Sequence, residues 1–134
     1  MKKTIKIGRH FIGSDQPTFI VAEISSNHQQ NFIAAENLIR AAKKAGANAV
    51  KMQTFTPDTI TLDSDKKYFW VDGENNPGTW KGQTFYNLYK KAFAPWEWHA
   101  PLQKLSQELG LEFFSSPFDI TAVEFLTQLN VPCF

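Results

Sequence analysis

Glu23, Lys51 and Ser116 each close an apolar run of strand type, and each can move a proton or hold an anion. The strings that carry them are Ala22-Glu23-Ile24-Ser25-Ser26-Asn27-His28, Lys51-Met52-Gln53-Thr54 and Phe114-Ser115-Ser116-Pro117-Phe118-Asp119. A carboxylate held near a cation is a candidate acid, base or electrostatic stabiliser. A lysine on a buried strand costs several kcal/mol unless it is paired or bound to an anion. Lys51 is therefore either a partner of Glu23 for stability alone or an anchor for a phosphate or carboxylate. Ser115 and Ser116, with free backbone N–H groups at the helix start that follows, suit an anion cradle. Two serines before a proline are equally ordinary turn chemistry. His28 could ligate a metal, shuttle a proton or fix its loop by hydrogen bonding. One histidine does not define a metal site, which favours the last. His10 reads as structural, and Trp96-Glu97-Trp98-His99 as packing at a helix start.

These side chains can act together only if the strand ends converge. Residues 5–13 read as a small hairpin, Ile5-Lys6-Ile7 and His10-Phe11-Ile12, turning at Gly8-Arg9. A strand over 18–24 follows the Asp15-Gln16-Pro17 break. A helix over 32–45 has Ala34, Leu38, Ala41 and Ala45 at helical spacing, Asn31 to cap it and Gly46 to end it. Next come a strand over 49–53, a helix marked by Leu102, Leu105 and Leu109, and a strand over 112–115. The last helix, capped by Asp119, turns Ala122, Phe125, Leu126 and Leu129 inward. Alternating strand and helix require parallel strands, whose C-terminal ends open on one face. Along the second strand Lys51 and Gln53 share one face, while Val50 and Met52 share the face suited to helices. Phe19, Val21 and Glu23 share a face in the first, so Glu23 can approach Lys51.

No glycine-rich phosphate loop follows the first strand, which disfavours a dinucleotide fold. The expectation is an α/β chain forming the N-terminal portion of a (β/α)8 TIM barrel: about three βα units plus a leading hairpin, where a whole barrel takes about 250 residues. The chain then divides into a leading hairpin over 1–16 and a partial barrel domain over 1–134, with the rest of the barrel beyond Phe134. One segment, 54–94, breaks the rhythm. Long loops inside compact domains are usually functional lids or disordered, and Tyr68, Phe69, Trp70 and Trp80 argue for order. The expected position of this excursion is the active-site side of the barrel.

Composition narrows the function classes. The 134 residues are 43% hydrophobic with a net charge of +1, which supports a packed core and gives no electrostatic case for nucleic acid or membrane binding. The start, Met1-Lys2-Lys3-Thr4-Ile5, is not a signal-peptide pattern. No apolar run approaches the roughly 20 residues of a membrane span. Cys133 is the only cysteine, which excludes a disulfide framework or thiolate cluster and makes a cytoplasmic setting the default.

Taken jointly, Ala22-Glu23-Ile24 with Asn27-His28, Ala45-Gly46-Ala47-Asn48-Ala49-Val50, Lys51-x-Gln53-Thr54 and Ser115-Ser116-Pro117-Phe118 resemble the sialic acid synthase family. The excursion, from Thr54-Phe55-Thr56-Pro57-Asp58-Thr59-Ile60-Thr61 through Trp80 and Tyr89-Lys90-Lys91-Ala92 to Pro95-Trp96-Glu97-Trp98-His99, is most similar to the pseudaminic acid synthase branch. Ala94 departs from the pattern, where a capping threonine is usual, and Pro101 marks a helix start or kink. The resemblance implies a transferase that condenses phosphoenolpyruvate with an N-acylated amino sugar to a nonulosonic acid. It implies Glu23 as the catalytic acidic residue, and Lys51 and Ser116 as phosphoenolpyruvate-binding. Gln53, Asn27, Phe118 and Thr54 would contact the sugar or shape its pocket. A divalent metal, manganese or magnesium, is implied with ligands outside this stretch, as is a homodimer. The alternatives are an N-acetylneuraminate or legionaminic acid synthase or, in a different class, a non-catalytic carbohydrate-binding module, for which the aromatic excursion is the only support.

Overall fold

A computed structural model describes residues 4–134. Met1–Lys3, and with them the first positions of the 1–16 segment and of the start weighed as a signal peptide, lie outside the described residues. The hairpin forms as expected: β1 (Ile5–Ile7) runs antiparallel to β2 (His10–Ile12), with Ile5 opposite Ile12. Gly8 turns it at φ 55°, and a Cβ there would meet the Glu112 carboxylate. The Arg9 backbone N–H donates to Glu112 Oε1 at 3.0 Å, and its guanidinium donates to the Gly110 carbonyl. The hairpin is thereby tied to the start of the last strand.

Three parallel strands follow in the order β3 (Val21–Glu23), β4 (Ala49–Thr54) and β5 (Glu112–Pro117). β3 is shorter than the expected 18–24. The Ile20 N–H is taken by the Asn48 side chain at 2.8 Å instead of by the ladder, so pairing begins one residue later. β5 is longer than expected and pairs with β4 through to Thr54 and Pro117.

Helices cover one face of this sheet. α1 (Phe32–Lys44) is capped by Asn31, whose side chain accepts from the Ala34 N–H, and Gly46 closes it at φ 87°. Its buried stripe is Ala35, Ile39 and Ala42, one residue on from the expected Ala34, Leu38, Ala41 and Ala45. Both stripes are apolar and carry one side chain of equal size, Ile39 in the buried one and Leu38 at its margin. α4 (His99–Glu108) buries Leu102 and Leu105 and holds Pro101 in its first turn, where a missing N–H is harmless. Leu109 sits at its C-terminal cap. α5 (Ile120–Gln128) starts at Asp119, whose Oδ1 accepts from the Thr121 and Ala122 N–H groups, and it buries Ala122 and Leu126. Val50 and Met52 lie fully buried between the sheet and these helices, so the expected strand parity holds. Burying a side chain of that size contributes about 1.5–3 kcal/mol.

The 54–94 excursion is ordered by its own contacts. It holds α2 (Pro57–Ile60), a 3₁₀ turn at Lys67–Phe69, and α3 (Phe85–Ala92). Trp70 bridges Thr84, Val71 is buried, and the Tyr86 hydroxyl donates to Asp58 at 3.0 Å. Among the described residues no helix is long and apolar enough to cross a membrane.

Candidate functional site

Strand register alone brings the chemistry-bearing residues together. Glu23 is the direct neighbour of Lys51, and Gln53 of Ser116, on the sheet face opposite the helices. Lys51 Nζ lies 2.9 Å from Glu23 Oε2. The other carboxylate oxygen, Oε1, accepts from the Ser25 hydroxyl at 2.8 Å and the Ser25 N–H at 3.2 Å. Lys51 is not deeply buried as expected. Its side chain is 33% exposed.

Above this pair the strand ends and the excursion enclose a cavity of about 900 Å³. One wall is polar: Ser25, Ser26, Asn27 and Gln29 from the loop after β3, with Gln53 from β4. The other is mainly apolar, Phe55, Ile60, Phe85, Leu88, Tyr89 and Phe118 with Trp80, interrupted by Asn76 and Lys91. Asn27, Gln53 and Phe118 thus line one space, while Glu23, Lys51 and Ser116 sit beside it on the same sheet face rather than in its walls. Phe118 packs edge-on against Phe55 at 5.4 Å between ring centroids. Phe69 and Trp70 do not line the cavity; Trp70 turns its indole N–H to the Asp65 carbonyl instead.

Two expectations are corrected. Thr54, placed in the pocket by sequence, is fully buried on the helix side of β4, because strand alternation puts it with Val50 and Met52. Its hydroxyl is hydrogen-bonded to Ser115 Oγ at 2.6 Å and to His99 Nε2 at 2.8 Å. Ser115 therefore faces the helices as well, and the double-serine cradle reduces to Ser116. The helix N–H groups meant to complete that cradle are occupied by Asp119, whose carboxyl is held below the usual range chiefly by the Thr121 hydroxyl.

The histidines behave as structural groups. His28 is fully buried: its Nδ1 accepts from the Gln30 N–H at 3.1 Å and its ring meets Trp98 edge-on, which is the loop-fixing role. Burial lowers its pKa. His10 packs on Phe19 beside Glu112. His99, read from sequence only as packing at a helix start, also holds the buried hydrogen bond to Thr54. Burial is the main cause that lowers its pKa to about 4. The available signal was parity: Thr54 and Ser115 are polar residues at helix-facing positions of adjacent strands, so a buried polar partner had to be found. Among the described residues no three His, Cys, Asp or Glu side chains gather where a metal ion could be held, so these residues do not fit one.

A model of the NeuB family matches residues 38–134. The pseudaminic acid synthase of Campylobacter jejuni is 44% identical over 117 residues, covering 87% of this chain and 33% of that protein. The pseudaminic acid synthase of Helicobacter pylori is 44% identical over 119 residues, covering 89% of this chain and 34% of that protein. The chain thus spans about a third of the length of these relatives. Among solved structures, the N-acetylneuraminic acid synthetase of Leptospira borgpetersenii, in complex with citrate, superposes with a TM-score of 0.76 at 27% identity, covering 98% of this chain and 40% of that one. The fold is accordingly part of a (β/α)8 barrel, the expectation drawn from the βα order and the missing glycine-rich loop. With most of its length inside the family match, the chain belongs to the NeuB family.

Proposed function

We propose that this chain forms the leading part of a cytoplasmic synthase that joins phosphoenolpyruvate to the open-chain aldehyde of an N-acylated amino sugar. The observation that carries the reading is the Glu23–Lys51 pair at 2.9 Å, set on the inner sheet face beside Gln53 and Ser116 and below a cavity with one polar and one apolar wall. The enolpyruvate methylene carbon attacks the aldehyde carbon, whose oxygen takes a proton. Water adds to the resulting cationic carbon, and phosphate leaves with C–O cleavage. Lys51 would share its charge between Glu23 and the phosphoenolpyruvate anion, and Ser116 would donate to the same anion. Glu23 would stabilise or relay the proton at the reacting centre. Gln53 would contact the sugar, while Asn27 and Phe118 shape its pocket. A divalent manganese or magnesium ion would need ligands from outside the described residues, and a homodimer is the assembly proposed for the full-length protein.

Within the family we place the activity in the pseudaminic branch. Its sugar carries a methyl group where N-acetylmannosamine has a hydroxymethyl, and a second acetamido group. The apolar wall of Phe55, Leu88, Tyr89 and Phe118, with Trp80, suits that methyl and acetyl surface. Each such contact discriminates by only about 1–3 kcal/mol, so several must act together. Phosphate release by the full-length protein, measured with phosphoenolpyruvate and each sugar, tests both levels. The diacetamido-trideoxy-altrose is expected to be preferred by a large factor. Equal or better use of N-acetylmannosamine moves the chain to the neuraminate branch, and no phosphate release with any acylamino sugar, legionaminic precursors included, removes the synthase reading.

A further inference from the structure

Ser25 is left-handed at φ 47°, a conformation glycine adopts without strain and serine rarely does. It is one of three such non-glycine residues in the loop after β3, with Gln29 and Gln30. Strain of this kind persists where the surrounding structure imposes it, and it concentrates at functional sites. What a serine adds over a glycine here is one hydroxyl, and that hydroxyl donates to Glu23 Oε1 at 2.8 Å. The left-handed turn also brings the Ser25 N–H onto the same oxygen at 3.2 Å. Both donors fall on Oε1, which leaves Oε2 as the oxygen turned to Lys51. A glutamate side chain has three rotatable bonds, and this clamp removes the freedom of the carboxylate that lies half in solvent. Ser25 also lines the cavity, so the clamp stands between the sugar space and the carboxylate.

We infer that Ser25 is a positioning residue: its hydroxyl and N–H fix the Glu23 carboxylate so that Oε2 stays on Lys51 at the reacting centre. The inference rests on the proposed role of Glu23, and its test is divided so that the two can fail separately. In the full-length protein, Ser25→Gly keeps the N–H and relieves the backbone while deleting the hydroxyl. It is expected to leave the Tm equal or higher, lower kcat about tenfold, and change KM for either substrate by less than about twofold. A kcat within about twofold of the parent overturns the inference. Combining Ser25→Gly with Glu23→Gln is expected to be no slower than Glu23→Gln alone, since Ser25 acts through that carboxylate. Losses that multiply overturn it and assign Ser25 an independent role. A crystal structure of the Ser25→Ala protein gives an arm that needs no turnover. The Glu23 carboxylate is expected to leave its place beside Lys51, and a carboxylate that does not move overturns the inference. If the parent protein shows no condensation, the functional reading falls while this arm still decides what Ser25 does.

Discussion

The Glu23–Lys51 pair adds little to the stability of the described residues. With the side chains 41% and 33% exposed, an ion pair of this kind contributes at most about 1 kcal/mol. Such a gain hardly accounts for a lysine and a glutamate on the inner face of a parallel sheet, where apolar residues would pack better. A cation that can serve a second anion does account for it. Lys51→Met is therefore expected to raise KM for phosphoenolpyruvate by about tenfold or more while KM for the sugar changes little, because the anion loses its charge-assisted partner. Steady-state kinetics with each substrate varied in turn measure the split, and equal effects on both constants would return Lys51 to a structural role. Glu23→Gln keeps the shape and the Ser25 donors but removes the charge. Turnover is expected to fall by about 100-fold with the Tm little changed, and normal turnover would remove Glu23 from the mechanism. Both residues were legible in the sequence, because strand parity and register place them without knowledge of side-chain packing. Ser25 was not, since its role depends on a left-handed φ that no residue type other than glycine announces.

At the scale of elements, the strands and helices followed the sequence and the polar contacts between them did not. Periodicity and caps fixed α1, α4 and α5 to within a few residues. It missed which of two adjacent apolar stripes of α1 is buried, a choice made by the partner surface. The His99–Thr54–Ser115 chain joins α4 to β4 across 45 residues of sequence and β4 to β5 across 61, beyond the reach of any local pattern. It has a measurable consequence. The His99 pKa falls from 6.5 to about 4 on folding, so between those values the unfolded chain binds more protons than the folded one. Stability from this group is full above pH 6.5 and is lost as pH falls towards 4, by up to about 3 kcal/mol. Thermal melting of the full-length protein at pH 7 and pH 4.5 is expected to show a drop in Tm that His99→Gln reduces. An unchanged drop in His99→Gln would put the acid sensitivity elsewhere, with His28 the next buried group to test. A second contact, Gln30, ties the loop after β3 to the excursion, its side-chain amide donating to the Lys90 and Phe93 carbonyls at 3.0 and 3.1 Å. Gln30→Ala is expected to speed hydrogen exchange over residues 88–94 while leaving β4 protected, and unchanged exchange there would mean the excursion is held by its aromatic contacts alone.

For the whole molecule, the accessible surface carries the argument. A closed monomer of 15.3 kDa is expected to expose about 7,100 Å², whereas this chain exposes 8488 Å². The excess is consistent with an inner sheet face left partly open at Val21, which is 38% exposed, and at the Lys51–Glu23 pair, which meets solvent. β3 and β5 also stand at the two edges of the sheet, each paired on one side only. Two open sheet edges are the condition under which chains pair with one another. A barrel removes both by closing on itself, and the relatives of which this chain spans about a third have the length to do so. A polypeptide of residues 1–134 alone is therefore expected to self-associate and to release no phosphate from phosphoenolpyruvate with either sugar. Sedimentation over a range of concentrations, together with the phosphate assay, checks both. A cooperative monomer with synthase activity would show that three βα units and the excursion suffice, and that the inner face needs no further strands to hold its substrates.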